Sequence, residues 1–307
     1  HMYTHFYNLD KAPFENTPDT AFLCPTGPHK AVLASLTCGV RSERELLLVT
    51  GDVGTGKTIL IHALVENLAP DYFAVRIPNP LPGFSGILYH LAQQLSIYTE
   101  GPVDAADLGK KIRFRLDQAS KGGMKAMLVI DEAHLIEAPC LERLKSLADD
   151  VNRKKCRLQI LLAGQREILG VLKKPSLAPL QQKIAVRCNI EAMSLEEVRA
   201  YIAHRLRQAG RQTPLFDRRA EKRIWAKSGG APRAVNRICD NALLAGYAVG
   251  ARKIGTSIVE QAAAATDISR TSSLRPPRNA SDRRNSGFKQ TLTIAAAVLL
   301  ILILLRV

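Results

Sequence analysis

Aromatic side chains are scarce in this 307-residue chain: 5% of residues, with one Trp. No run interleaves aromatics with basic residues, and no recognition helix stands out, so a dedicated nucleic-acid reader is disfavoured. The six cysteines (Cys24, Cys38, Cys140, Cys156, Cys188, Cys239) are scattered. None stand at CxxC or zinc-ligand spacing, which excludes a zinc ribbon and a disulfide scaffold. They read instead as small buried hydrophobes in a reducing compartment. No apolar signal segment opens the chain, so the N-terminal part is expected in the cytoplasm. Gly and Pro are near average, and hydrophobic residues make up 46%. That excludes a disordered or fibrous chain and leaves room for about two domains.

Charge of one sign is in excess, at net +15. Seven basic residues lie beyond residue 268 (Arg270, Arg275, Arg278, Arg283, Arg284, Lys289, Arg306), opposed only by Asp282. The tail thus carries +6 and the rest +9. A moderately basic body permits binding to nucleic acid or anionic lipid without requiring either.

Short apolar runs at Leu46–Thr50, Met127–Ile130 and Leu158–Ala163 have the length of buried parallel strands; Tyr72–Ile77 reads as another strand, and Ala185–Ile190 is the candidate for a fifth. Helical spacing fills the gaps: near His29–Val40, after Thr58 to about Leu68, and over Phe84–Ser96, Ala105–Lys121 and Leu141–Val151. Strands alternating with helices predict an α/β doubly wound parallel sheet. After residue 193 the pattern becomes helical only. Ser194-Leu195-Glu196-Glu197 reads as a capped helix start, followed by helices over Leu195–Ala209, Arg218–Lys227, Pro232–Val249 and Thr256–Ala265, with no strand. The expected organisation is an N-terminal arm and helix (1–44, irregular from Tyr3 to Pro28), a nucleotide-binding core (45–192), an all-helical domain (193–268), a basic linker (269–290) and a terminal apolar segment (291–307). Thr291–Leu305 is uncharged but shorter than the roughly twenty residues of a usual span. It reads as a membrane anchor, short or truncated, with a buried core helix as the alternative. The basic residues before it would keep that side cytoplasmic.

The chemistry begins at Gly51-Asp52-Val53-Gly54-Thr55-Gly56-Lys57-Thr58, a G-x-x-x-x-G-K-[ST] loop between an apolar strand and a helix. The glycines let the backbone curl so that its N–H groups converge on phosphate oxygens. The helix that follows, through Ile59, adds the positive end of its dipole. Lys57 would meet the β- and γ-phosphates, and Thr58 would place its hydroxyl on Mg²⁺. Two acids, Asp131 and Glu132, leave the C-terminal end of the Met127–Ile130 strand, where ligands of such sheets bind. Asp131 would hold Mg²⁺, and Glu132 would polarise the water that attacks ATP. Gln165, after the Leu158–Ala163 strand, is the candidate for sensing the γ-phosphate or orienting that water. Asp131-Glu132-Ala133-His134 also spells a helicase string, but such helicases need two motor domains and this chain has room for one. His134 reads as an ordinary residue just past the acids, or as one that tunes Glu132.

Taken together, the chain resembles an AAA+ P-loop NTPase, and more narrowly the ExeA/GspA-type secretion-associated ATPases. The resemblance runs from about Met2 to Ala265. It rests on Tyr3-Thr4-His5-Phe6-Tyr7-Asn8-Leu9, Pro13-Phe14, Thr17-Pro18-Asp19, the P-loop, Asp131–His134, Leu158–Gln165, Tyr201–Leu206 and Ser228–Arg233. The last two strings, in this order, are its most specific parts. It implies that the helical domain is a lid, that Arg233 reaches the phosphates from it, and that the arm near Pro13–Asp19 lies by the adenine. It implies a homo-oligomeric ring in which a neighbour donates a cation to the γ-phosphate. Lys183 stands where the family has Arg, and Lys lacks the planar bidentate fork. Arg187 is the other candidate. Arg166 stands where the family often has Pro. The function so implied is a cytoplasmic ATPase, anchored to the bacterial inner membrane, that drives assembly of an envelope secretion or export machine with a protein partner. A DNA-binding regulator of the transposition-ATPase type and an ATP-gated scaffold with little turnover are the competing readings.

Overall fold

The computed structural model describes residues 2–15, 27–98, 104–152 and 158–272. The described residues up to Thr266 group by their contacts into one compact unit.

Five strands form one wholly parallel sheet in the order β2-β3-β4-β1-β5. They are β1 (Leu46–Gly51), β2 (Tyr72–Ile77), β3 (Lys125–Ile130), β4 (Leu158–Gly164) and β5 (Ile184–Ile190). β1 and β4 are buried along their full length, as expected of strands covered on both faces. Alternate residues feed two separate cores. Leu46, Leu48, Leu128, Ile130, Ile160 and Leu162 point to the side of α4 (Gly83–Gln94), α5 (Ala105–Lys121) and α6 (Ala138–Asn152). Leu47, Val49, Met127, Val129, Leu161 and Ala163 point to α2 (Gly27–Arg41) and α3 (Lys57–Leu68).

β4 is inserted between β1 and β3 and pairs with both, Thr50 lying opposite Gly164 and Ile130 opposite Leu162. Because the strands are parallel, the P-loop after β1, the acids after β3 and Gln165 after β4 leave the same edge of the sheet.

The helical part comprises α9 (Leu195–Gln208), α10 (Arg218–Ser228), α11 (Pro232–Ala248) and α12 (Thr256–Ser272). The helix start at Ser194 is a full capping box: Ser194 Oγ accepts from Glu197 N–H, and the Glu197 carboxylate accepts from Ser194 N–H. Among the described residues after 193 no strand occurs; an isolated parallel bridge joins Phe216 to Ile254. One expectation is corrected. The N-terminal arm is not irregular throughout: it opens with α1 (Met2–Phe6), and Tyr3, Tyr7, Leu9 and Phe14 are buried in the core of the helical part. Phe14 meets Phe216 edge-on at a centroid distance of 6.0 Å, and Tyr3 donates to Asp240 at 2.5 Å.

Smaller differences are local. Short helices α7 (Glu167–Leu172) and α8 (Ala178–Lys183), too brief to show a period, fill the stretch between β4 and β5. Cys140 and Cys239 are buried, as small hydrophobes should be, but Cys38 is exposed on α2. Cys24, Cys156 and the candidate anchor Thr291–Leu305 lie outside the described residues. Among the described residues, no helix is long and apolar enough to cross a membrane.

Candidate functional site

The P-loop turns where its glycines allow it. Gly54 (φ 76) and Gly56 (φ 96) occupy the left-handed region, which L side chains rarely adopt. Gly56 caps α3, so the loop delivers the chain directly into a helix N-terminus. Thr55 is buried, and its hydroxyl donates to Asp52 O at 2.8 Å, closing the loop on itself. Asp52 and Val53 are exposed at the tip, and Ile59 is half-buried in the first turn of α3.

Lys57 is buried and donates to the carbonyls of Gly51 (2.8 Å) and Asp52 (3.0 Å). Burial pushes its ammonium below the usual lysine range, against the pull of Glu132, Asp131, Asp52 and Glu167. A desolvated cation pointed into an anion-binding loop is stabilised by a phosphate far more than an exposed lysine would be.

Thr58 and Asp131 are joined: the Thr58 hydroxyl donates to Asp131 Oδ2 at 2.6 Å. Asp131 is buried, and its other oxygen accepts Glu132 N–H at 2.9 Å. Mg²⁺ is held by few protein ligands plus substrate phosphates. One hydroxyl with free lone pairs and one buried carboxylate fit that donor set. Among the described residues no cluster of three or more His, Cys, Asp or Glu could hold a metal alone, so an ion here would lean on the nucleotide.

Glu132 follows in the left-handed region (φ 51, ψ 34), uncommon for a non-glycine residue. Its carboxylate lies 3.4 Å from His134 Nδ1. On the other side of the ring, His134 Nε2 is 3.0 Å from the Gln165 side-chain nitrogen. Gln165 and Glu132 are thus linked through one imidazole.

The helical part touches the loop directly. Arg233 N–H, in the first turn of α11, donates to Gly54 O at 3.2 Å. A methyl group on Gly54 would sit 2.9 Å from Arg233 Cβ. The exposed Arg233 side chain is therefore rooted beside the phosphate-binding turn.

Lys183 and Arg187 are elsewhere. β5 starts level with the start of β1, since Ile184 lies opposite Leu46. Lys183 therefore sits at the sheet edge away from Gly51, bonded to Asp149 (2.5 Å) and Glu45 (2.8 Å). Burial works against its charge, but those bonds outweigh it and hold the ammonium above the usual range. Arg187, opposite Leu48, donates to Gln181 O at 3.0 Å. Pro13 and Phe14 of the arm are described, whereas Thr17-Pro18-Asp19 lie outside the described residues.

Two contacts gave no signal in the sequence. Arg166 Nε lies 3.4 Å from Asp52 Oδ1, bracing the P-loop tip from the residue after Gln165. His29 is buried at the start of α2, its Nε2 2.7 Å from Thr55 O. A carbonyl and the N–H of the same trans peptide point in opposite directions. Holding Thr55 C=O outward therefore aims Gly56 N–H into the loop. Only a buried side chain next to the loop in space could show this, and nothing in the spacing of His29 and Thr55 does.

Residues 40–172 match the family described as AAA domain. Over 253 residues the chain is 32% identical to general secretion pathway protein A of Aeromonas hydrophila, covering 82% of this chain and 46% of that protein. Residues 40–172 are an AAA domain, and the chain is related to general secretion pathway protein A. It spans about half the length of that relative. Among solved structures, the AAA fold here is similar to the ORC2 protein of Aeropyrum pernix in its ADPNP–ADP complexes. That match has TM-score 0.65 and 17% identity, covering 83% of this chain and 71% of that one. Cdc6p of Pyrobaculum aerophilum is as similar, with TM-score 0.65 and 15% identity, covering 81% and 71%. At such identities these likenesses speak to the fold of the AAA protein, not to its partners.

Proposed function

We propose that this AAA protein binds Mg²⁺–ATP in the Gly51–Thr58 loop and hydrolyses it. The observation that carries the reading is the 2.6 Å bond between Thr58 and Asp131. It ties the phosphate-binding helix to the strand end that bears Glu132, so one ligand can touch both. Bound there, Mg²⁺ would neutralise phosphate charge. Lys57 and the loop N–H groups bind the phosphates, Thr58 and Asp131 orient the ion, Glu132 polarises the attacking water, and Gln165 aligns it. Helices α9 to α12 act as a lid, with Arg233 reaching the phosphates from α11. A neighbouring copy in a ring completes the site with a cation, Arg187 or Lys183. Since Lys183 is engaged with Asp149 and Glu45 in its own chain, Arg187 is the better supported of the two.

The relationship to general secretion pathway protein A supports a role in energising a cell-envelope secretion or export machine. In that role Thr291–Leu305 anchors the ATPase to the inner membrane and its basic linker stays cytoplasmic. Two variants test the chemistry. Lys57→Ala should lose nucleotide binding. Glu132→Gln should bind ATP and fail to turn it over, and normal turnover in that variant would show the base to be misassigned. Fractionating cells that express the full chain and a chain ending at Thr266 tests the anchor, which is lost if both are equally soluble.

A second reading, a DNA-handling AAA regulator, is favoured by one observation, the net +9 on residues up to 268. It requires duplex binding in ATP with a steep salt dependence. Absence of binding at low salt removes it.

A further inference from the structure

We propose that His134 is a positioning residue that passes the state of Gln165 to Glu132 by moving its ring proton from one nitrogen to the other. The inference rests on the ATPase reading above.

The ring faces more partners than one tautomer can satisfy. A neutral imidazole has one N–H and one lone pair in its plane. Nδ1 lies 3.4 Å from the Glu132 carboxylate, which can only accept a hydrogen bond when ionised. The same Nδ1 lies 3.4 Å from the backbone N–H of Gln165, which can only donate. These two contacts exclude each other: the first needs a proton on Nδ1, the second a lone pair. Both are longer than a settled N–H hydrogen bond, about 2.9–3.0 Å, so the ring stands between them. Nε2 takes the complementary role toward the Gln165 side chain, 3.0 Å away.

Two states follow. When the Gln165 amide N–H donates to Nε2, the ring proton is on Nδ1 and held toward Glu132. That bond occupies a carboxylate oxygen that would otherwise accept from the water. When the Gln165 amide is drawn to a phosphate oxygen, Nε2 loses its donor. The proton is then better placed on Nε2, and Nδ1 accepts the Gln165 backbone N–H. Glu132 is released, and that carboxylate oxygen is open to the water. One proton leaves Nδ1 and one arrives at Nε2, so the ring stays neutral. Solvent can carry it, because the side chain is 13% exposed.

The surroundings limit other responses. A methyl on Gly164 would lie 3.0 Å from His134 N, so β4 packs tightly against the 3-10 turn Ala133–Leu135. That turn leaves the ring few routes of retreat. Glu132, in its left-handed kink, is likewise fixed at the backbone. The device links the residue that senses the third phosphate to the residue that activates water. It would restrain hydrolysis until ATP is seated.

The test uses the full chain with ¹⁵N-labelled histidine. Ring nitrogen shifts of His134, assigned by loss in a His134→Asn variant, are compared with ADP and with a non-hydrolysable ATP analogue. The proton should reside on Nδ1 with ADP and on Nε2 with the analogue, and Gln165→Ala should remove that difference. The same tautomer with both bound nucleotides overturns the proposal. Kinetics give a second reading. In His134→Asn the introduced carboxamide can donate permanently to Glu132, so kcat should fall about tenfold at unchanged affinity for ATP. His134→Ala frees the carboxylate and should turn over faster than His134→Asn. A structural role predicts the reverse order, and that order would refute the switch. If neither nucleotide binds the unaltered chain, the ATPase reading fails and takes this inference with it.

Discussion

The left-handed backbone at Glu132 allows a prediction that separates positioning from chemistry. Its φ of 51 and ψ of 34 place an L residue where Cβ crowds the following carbonyl, at a cost of about 1–2 kcal/mol. Glycine escapes that cost but loses more chain entropy on folding, about 0.4–1 kcal/mol relative to alanine. Truncating the side chain in two ways, Glu132→Ala and Glu132→Gly, removes the carboxylate in both and leaves only the backbone term different. The Gly variant should then be the more stable by about 1 kcal/mol, the reverse of the usual order. At about 2.1 cal/mol/K of unfolding entropy per residue, that is roughly 1.5–2 °C in unfolding midpoint for a chain of this size. Thermal and urea unfolding of both variants without nucleotide would measure it. Both variants should be inactive, so the stability difference is free of any ligand effect. An alanine variant as stable as the glycine variant, or more so, would show that the kink carries no strain and that the carboxylate is not being held against a cost.

Other outcomes follow from single contacts. His29→Ala removes the bond that holds Thr55 O. A lost buried hydrogen bond of about 1–3 kcal/mol should weaken ADP and ATP alike by about tenfold, and unchanged affinities in calorimetry would discount this role. Asp240 is raised above the ordinary aspartate range by burial, partly offset by the Tyr3 bond. A raised carboxyl favours the folded state when protonated, so its contribution is present below the unfolded value and is lost as pH rises through that value to the raised one. Tyr3→Phe removes the offset, so it should destabilise more at pH 7 than at pH 4, and Asp240→Asn should flatten that difference. An equal effect of Tyr3→Phe at both pH values would contradict the assignment.

What the sequence made legible was periodic or contiguous. Each of the five strands appears within two residues of its expected ends. β1, β3 and β4 are apolar runs because strands covered on both faces need them, whereas β2 and β5 carry Arg76, Arg187 and Asn189 at partly or fully exposed positions. The P-loop is contiguous, and its glycines announce the backbone they permit. Contacts between distant segments were not legible. Nothing near Tyr3 signals that its hydroxyl meets Asp240, and the five-residue α1 is too short to show a period. Lys183 read as a cation free for a neighbour, but folding places Asp149 and Glu45 around it. His134 could be read as an attendant of Glu132. That it also reaches Gln165 depends on β4 lying beside β3, a pairing the topology supplies.

The central claim is one Mg²⁺–ATP held between the Gly51–Thr58 loop and the Asp131–Glu132 strand end. Titration calorimetry of the chain with ATP and Mg²⁺ addresses it most directly. The account predicts one nucleotide per chain, displaced by ADP and lost in Lys57→Ala. Saturable binding that survives Lys57→Ala, or no binding at millimolar nucleotide, would contradict it.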